Sequence, residues 1–537
     1  MSRVLNHLKL GQIKGVTEPG SSLLKFLGIP YGSIPQRFAR STLLTSLPSH
    51  SNVFDATKPG PSSIQPHESV KSDASGIPIP TDNLPDDEPQ AEDCLNLSIT
   101  LPASHVPQDG SSSAQSAKKK LPVLIFLHGG AFLLGSANRP YYSATNLLHH
   151  ALKRDTPVLY VAVNYRLGAL GFFHSPEAAD LVPPNNGLHD QLVALDWIRD
   201  NIEGFGGDVN NVTILGQSAG GESISLHAAS GMEKPLYKRA IMFSGSPVTM
   251  PAKTPKEHGE NFYAQAEQLG IKTQDEEMIK TDVEKIRKLG FVGAPCTKSE
   301  MLPYDKPTME MMRQGQKVKK NWVEAQIVSA ATYDGGISYN MISGNDERKE
   351  HAQGFDHIAR EVLGDDKGRE LCDIYGITTS DADPEALRKI CQFESDIGFF
   401  AGALSMAVGG TLPTYLQLFD LGNPFPGPLP QGEFATHTFD IISLLGGAHE
   451  DRLPSNYRPV VAEWRDTILD FVVSGKAPCT AFDNQNQSAL IVNQKGVREV
   501  AGDVYLQVDG RRRARLFELA ESVAGEAGWD KLWTEVS

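Results

Sequence analysis

The amino-acid sequence predicts an α/β fold: one large, mostly parallel central sheet covered by helices on both faces, with long insertions. Three observations carry that expectation. Leu121–Leu127 and the stretches 158–163 and 212–215 are short continuous apolar runs, the pattern of strands buried on both sides. Between them Leu188, Leu192, Leu195, Trp197 and Ile198 recur near a 3.6-residue period across 187–201, which marks a helix. Finally, V-T-I-L-G-Q-S-A-G-G-E-S-I-S over 212–225 passes from strand character through a turn of small residues into a helix-like continuation. Strands that alternate with helices build parallel sheets, whose sites lie at the carboxyl ends of the strands.

Taken in order, residues 11–16 read as a first strand and turn, and 23–40 as a strand entering a turn-rich segment. Residues 55–94 form a long Pro/Ser/Asp-rich excursion without Phe, Tyr or Trp, closed by the acidic run D-D-E-P-Q-A-E-D. A loop of that length is expected to be a lid or surface excursion. After a strand at 95–101, the polar insertion at 103–120 ends in three lysines and reads as a mobile hairpin connection with a solvated face. Further strands are expected at 327–333 and 415–419, and an amphipathic helix over 460–475 ends on a glycine cap. Arg511 to Arg515 read as a surface charge patch. No repeat interrupts the chain, so a single domain over 1–537 is expected.

Composition narrows the class. With 537 residues, 40% hydrophobic and 21% charged, the chain can build a deep core. A formal net charge of −15 disfavours nucleic acid or an anionic membrane as a partner. The first residues lack the apolar run of a signal peptide, and no window approaches 18 uninterrupted apolar residues. A cytoplasmic location without membrane insertion is therefore expected. The five cysteines are odd in number and form no close metal-ligand pair, so neither a disulfide framework, a metal nor a cofactor is expected. The sequons at Asn96, Asn211 and Asn486 are read as incidental.

Two turns carry chemistry. Gly216 and Gly220 flank Ser218 where any Cβ would collide as strand turns into helix, the plan of a nucleophile elbow. Such spacing also arises in ordinary glycine-rich turns, so the partners decide. A serine attacking a carbonyl needs donors where negative charge develops. Directly after Leu121–Leu127 comes H-G-G-A-F, in which Gly129 and Gly130 can turn their amides inward, and Ala219 supplies a third N–H.

At this point the chain resembles the type-B carboxylesterase family, the group with cholinesterases and some fungal lipases. The matching segments are F-L-G-I-P-Y-G, E-D-C-L-N-L, H-G-G-A-F, V-N-Y-R-L-G-A-L-G-F, N-N-G-L-H-D-Q-L-V-A-L-D-W-I, F-G-G-D and G-Q-S-A-G-G, in family order from about residue 26 to 221. The resemblance implies an α/β-hydrolase fold and ester hydrolysis through an acyl-serine intermediate. It implies Ser218 as nucleophile, Gly129, Gly130 and Ala219 as oxyanion hole, and Asp334 as the acid, where many relatives have glutamate. It implies His437 as the base, with His449 as rival; the chain order Ser, Asp, His favours His437. Glu92 with Arg40, and Arg166 with Asp190, resemble family ion pairs, and Ser244 a serine standing near the acid.

The sequence also departs from its relatives. Secreted members close the long loop with a disulfide, whereas here Ser62 or Ser63 stands in that place, so an untethered, mobile lid over 60–92 is expected. That loop offers no aromatic ring but His67, which argues against choline esters, and too few large apolar residues for a lipase lid. The expected substrate is a small or medium, fairly apolar ester or lactone. An acyltransferase or lactone hydrolase of a specialised pathway, and a non-catalytic binding protein of the same fold, are the competing readings.

Overall fold

In the computed structural model, which describes residues 2–48, 52–106, 119–230, 234–271, 275–289, 293–315, 322–343 and 349–537, the apolar runs become the middle of a thirteen-stranded sheet. Parallel neighbours form its centre, in the spatial order Leu159–Val163, Leu121–Leu127, Gly207–Gln217, Arg239–Phe243, Ala325–Ala331, Thr414–Phe419 and Ala489–Asn493. Antiparallel strands close the edges: Ser2–His7, Gly11–Val16, Leu23–Pro30 and Asn96–Pro102 on one side, Gly496–Val500 on the other. The strand over 11–16 is therefore not the first; Ser2–His7 precedes it, with Leu5 and His7 alternating inward.

The continuous apolar runs follow from burial on both faces. Leu121–Leu127 is buried at every position; Val123, Ile125 and Leu127 enter one core, Leu124 and Phe126 the other, as a period of two demands. Helix Asn186–Asn201 covers the first core with Leu188, Leu195 and Trp197. Helix Arg458–Ser474 covers the second with Val461, Trp464, Ile468 and Phe471, and ends at Gly475 in the left-handed region (φ 73°). Each such side chain contributes about 1.5–3 kcal/mol on burial. No helix among the described residues is long and apolar enough to cross a membrane.

Four expectations need correction. The excursion over 55–94 is not a structureless loop: it contains the helix Ser69–Gly76, and Val70, Ala74, Ile77, Ile79 and Leu84 pack into the second core. Nor is it untethered. All five cysteines are free, but the buried Arg139 guanidinium pairs with Glu88 at 2.9 Å and Asp73 at 3.5 Å and donates to Gln65 and Ser69. Ser63, one of the two serines where the resemblance places a cysteine, accepts from Leu167 N at 3.0 Å. The tether is ionic and hydrogen-bonded rather than covalent. The bulk of the 103–120 insertion, residues 107–118, lies outside the described residues.

Arg166 and Asp190 do form a buried bidentate pair, at 2.7 and 2.8 Å. Glu92, however, pairs with Arg37 and not Arg40 (2.5 and 2.7 Å), while Arg40 donates to Asn186 Oδ1 at 3.2 Å. Two arginines three residues apart compete for one carboxylate, and the other is drawn to the helix Asn186–Asn201. The arginine cluster is only partly surface. Arg512 and Arg513 close on the fully buried Asp396 at 2.8 and 2.7 Å, and Arg513 stacks over Phe400. An inward face of helix Val508–Ala524 takes these two, leaving Arg511 to an exposed pair with Glu518.

Candidate active site

The elbow sits where the strand Gly207–Gln217 gives way to the helix Ala219–Ala229. Ser218 holds φ 55°, ψ −127°, a strained backbone state for a side chain larger than glycine's. A Cβ on Gly216 would stand 2.3 Å from Gly220 O, and one on Gly220 2.1 Å from Leu127 O, so both positions require glycine. The bend is fixed by Ser218 N donating to Phe243 O, and Glu222 N to Ser218 O, each at 2.8 Å. Between buried neighbours, Ser218 alone is half-buried.

The glycine turn lies directly against it. A Cβ on Gly129 would meet Gln217 O at 2.7 Å and Ser218 Cβ at 2.9 Å. Gly130 has φ 107°, followed by Ala131 and Phe132 at φ 53° and 58°, and Gly130 O accepts from Leu133 and Leu134 N. That winding turns peptide planes as an anion-binding nest does. Ala219 opens the helix, so its N–H has no partner within it and carries the positive end of the helix dipole. His128, stacked on Tyr165, bonds Gly129 O through Nδ1 at 2.8 Å; burial pushes its pKa down to about 4, which keeps it neutral.

Asp334 follows the strand Ala325–Ala331, which ends two residues earlier than the sequence pattern suggests. The reason is local: Asp334 Oδ2 accepts from Ala331 N at 2.8 Å, taking a donor that a longer strand would use. Ser244 Oγ lies 3.4 Å from the same N–H, beside Asp334 as expected. Asp334 Oδ1 then meets His437 Nδ1 at 2.7 Å, with the carboxylate fully buried and the ring nearly so. His449 is elsewhere: its Nε2 donates to Pro80 O at 2.7 Å, holding the excursion.

Sequence reasoning missed several groups at this site. Gln217 brings its amide nitrogen to 3.1 Å from His437 Nε2. Phe399 lies 5.2 Å from the imidazole, on the helical turn Ser395–Phe400. Glu394 bonds Ser338 Oγ at 2.6 Å, and loss of solvent pushes its carboxyl up to about 7. Asp440, fully buried, is likewise pushed up to about 7, first by burial and then by Asp334. Gln217, Phe399 and Glu394 come from different elements, so only the folded chain collects them; Asp440 alone was foreshadowed, as the acidic residue three after His437 in H-T-F-D. Among the described residues, no group of three or more His, Cys, Asp or Glu side chains could hold a metal.

A nucleophile elbow at a strand's carboxyl end, a glycine turn after the neighbouring strand, and a buried Asp–His pair from later strands define an α/β-hydrolase. The chain belongs to the carboxylesterase family: the profile described as "Carboxylesterase family" matches residues 3–489. It is 36% identical over 240 residues to a para-nitrobenzyl esterase of Bacillus subtilis (strain 168), covering 45% of this chain and 43% of that protein. A cholinesterase of Mus musculus is 34% identical over 281 residues, covering 51% and 42%. A phenmedipham hydrolase of Pseudarthrobacter oxydans is 35% identical over 270 residues, covering 50% and 48%. The matched stretches thus span less than half the length of each of these relatives. A solved thermophilic PNB esterase superposes with a TM-score of 0.73 at 24% identity, covering 96% of this chain and 99% of that one, which establishes likeness of fold.

Proposed function

We propose that the chain is a serine carboxylesterase that hydrolyses a small or medium, fairly apolar carboxylic ester through an acyl-serine intermediate. The observation that carries this reading is the buried Asp334–His437 pair beside a strained, half-buried Ser218. Ser218 Oγ attacks the ester carbonyl carbon while its proton passes to His437 Nε2. The carbonyl oxygen becomes an anion that the Gly129, Gly130 and Ala219 amides stabilise. On collapse the carbon–oxygen bond to the alcohol breaks, and the imidazolium returns its proton to that leaving oxygen. Water, losing its proton to the same nitrogen, then attacks the acyl carbon; the bond to Ser218 Oγ breaks, the imidazolium returns that proton to Oγ, and the acid is released. Asp334 orients the ring and supports the charge it gains.

The excursion over 55–94 closes this site from above as a lid in the same reading, held by Arg139 and His449. The test is Ser218→Ala against nitrophenyl acetate, with a fluorophosphonate probe alongside. The wild type acquires a single adduct on Ser218 and the variant loses both adduct and turnover. Full turnover by the variant would overturn the assignment.

A further inference from the structure

The contact between Gln217 and His437 joins two nitrogens, and one of them must accept. A carboxamide –NH₂ only donates. His437 Nε2, 3.1 Å from Gln217 Nε2, is therefore the unprotonated nitrogen, and the ring proton resides on Nδ1. The other end of the ring agrees, since Nδ1 faces the Asp334 carboxylate at 2.7 Å. Gln217 has no slack to drift: it is 1% exposed, and a Cβ on Gly129 would lie 3.0 Å from its Oε1. The lone pair it occupies is the one the Ser218 hydroxyl needs.

We propose that Gln217 is a positioning residue for the base: its amide caps the His437 Nε2 lone pair, holds the ring in the Nδ1–H tautomer, and yields that lone pair to the Ser218 hydroxyl as the proton moves. This rests on the roles proposed for Ser218 and His437. A donor on the lone pair stabilises the neutral ring and lowers its proton affinity. The titratable groups that face the ring from the surrounding elements act in the other direction wherever they are ionised, and burial holds three of them, Glu394, Asp440 and Asp73, toward their neutral forms. The four groups are Asp334 after its strand, Glu394 at the end of helix Asp383–Glu394, Asp440 in helix Phe439–Leu445 and Asp73 in helix Ser69–Gly76. Gln217 is thus the one neutral donor at 3.1 Å from the nitrogen that must take the serine proton, opposite the Asp334 carboxylate on the other ring nitrogen.

The experiment compares the acidic limb of kcat/KM against pH, on nitrophenyl acetate, for the wild-type chain, Gln217→Met and Gln217→Glu. The base is inactive once protonated, so a raised histidine pKa moves that limb to higher pH. Methionine removes the donor at similar volume and shifts the limb upward modestly; glutamate replaces the donor with an acceptor and shifts it by about one pH unit or more. At a pH on the wild-type limb, Gln217→Glu then retains about a tenth of the wild-type kcat/KM. Coincident limbs for the three proteins overturn the proposal, and the methionine variant alone decides it if the glutamate chain does not fold. His437→Ala separates the two readings. If it abolishes turnover while the Gln217 limbs coincide, only the positioning role fails; if it keeps full turnover, both fail.

Discussion

The His128–Phe132 turn and the Asp334–His437 pair reach Ser218 from opposite sides of the same strand end, and they are held by different physics. The turn is backbone. Its shape comes from Gly130 at φ 107°, two further residues at positive φ, and glycines packed where no Cβ fits. The pair is side chain. It is held by a 2.7 Å charge-assisted bond, a borrowed strand donor and a shell of buried carboxyls. Steric change should therefore break the first and leave pH irrelevant, whereas isosteric change of charge should break the second.

The largest effect expected is on the charge-held side. Asp334→Asn is nearly isosteric, but its amide would donate toward His437 Nδ1 and drive the ring proton to Nε2, where Gln217 already presents a donor. With the wrong tautomer in place, kcat on nitrophenyl acetate should fall about ten-thousandfold while the melting curve changes little. A loss smaller than about tenfold would place the supporting charge on another of the buried carboxyls. On the backbone-held side, Gly130→Ala puts a Cβ 2.0 Å from Leu134 O at a φ that alanine rarely adopts. The turn must rotate, and kcat should drop about 10² to 10³-fold with an unshifted pH profile. A pH shift in this variant would show that the two halves are not separable.

The same contrast explains what could be read before folding. Backbone-held features are written locally: Gly216, Gly220, Gly129 and Gly130 sit within a few residues of the turns they shape, each after an apolar run. The central strands were equally legible, since burial on both faces leaves no polar position. The buried Asp–His pair was not legible this way. Asp334 and His437 are 103 residues apart, and their pairing was expected from resemblance and chain order alone. Features that depend on competition between distant side chains were read wrongly. Glu92 chose Arg37 over its neighbour Arg40, and Arg512 and Arg513 turned inward to Asp396. The 55–94 excursion was misread because its apolar residues are few aliphatics, scattered among prolines, that find a core only when Arg139 pins the segment down.

The smallest predicted effect isolates the carboxyl shell. Asp440 is fully buried; Oδ1 accepts from Ile441 N at 2.7 Å while Oδ2 has no hydrogen-bond partner. A charge there is poorly compensated, and its pKa rises from 3.8 to about 7. Because the folded chain holds this proton more tightly than the unfolded chain, the stabilisation is fully present below pH about 4. It is lost progressively as pH rises toward about 7, where both states are ionised, for a total of at most about 4 kcal/mol. Asp440→Asn keeps the shape and cannot ionise, so its urea midpoint should fall less than the wild-type midpoint between about pH 5, inside that window, and about pH 8, above it. Turnover should change only a few-fold, because Asp440 touches neither Ser218 nor the His128–Phe132 turn. Parallel midpoints for the two proteins would mean that Asp440 stays charged at neutral pH, and the charge-held half of the site would then rest on two adjacent carboxylates rather than one.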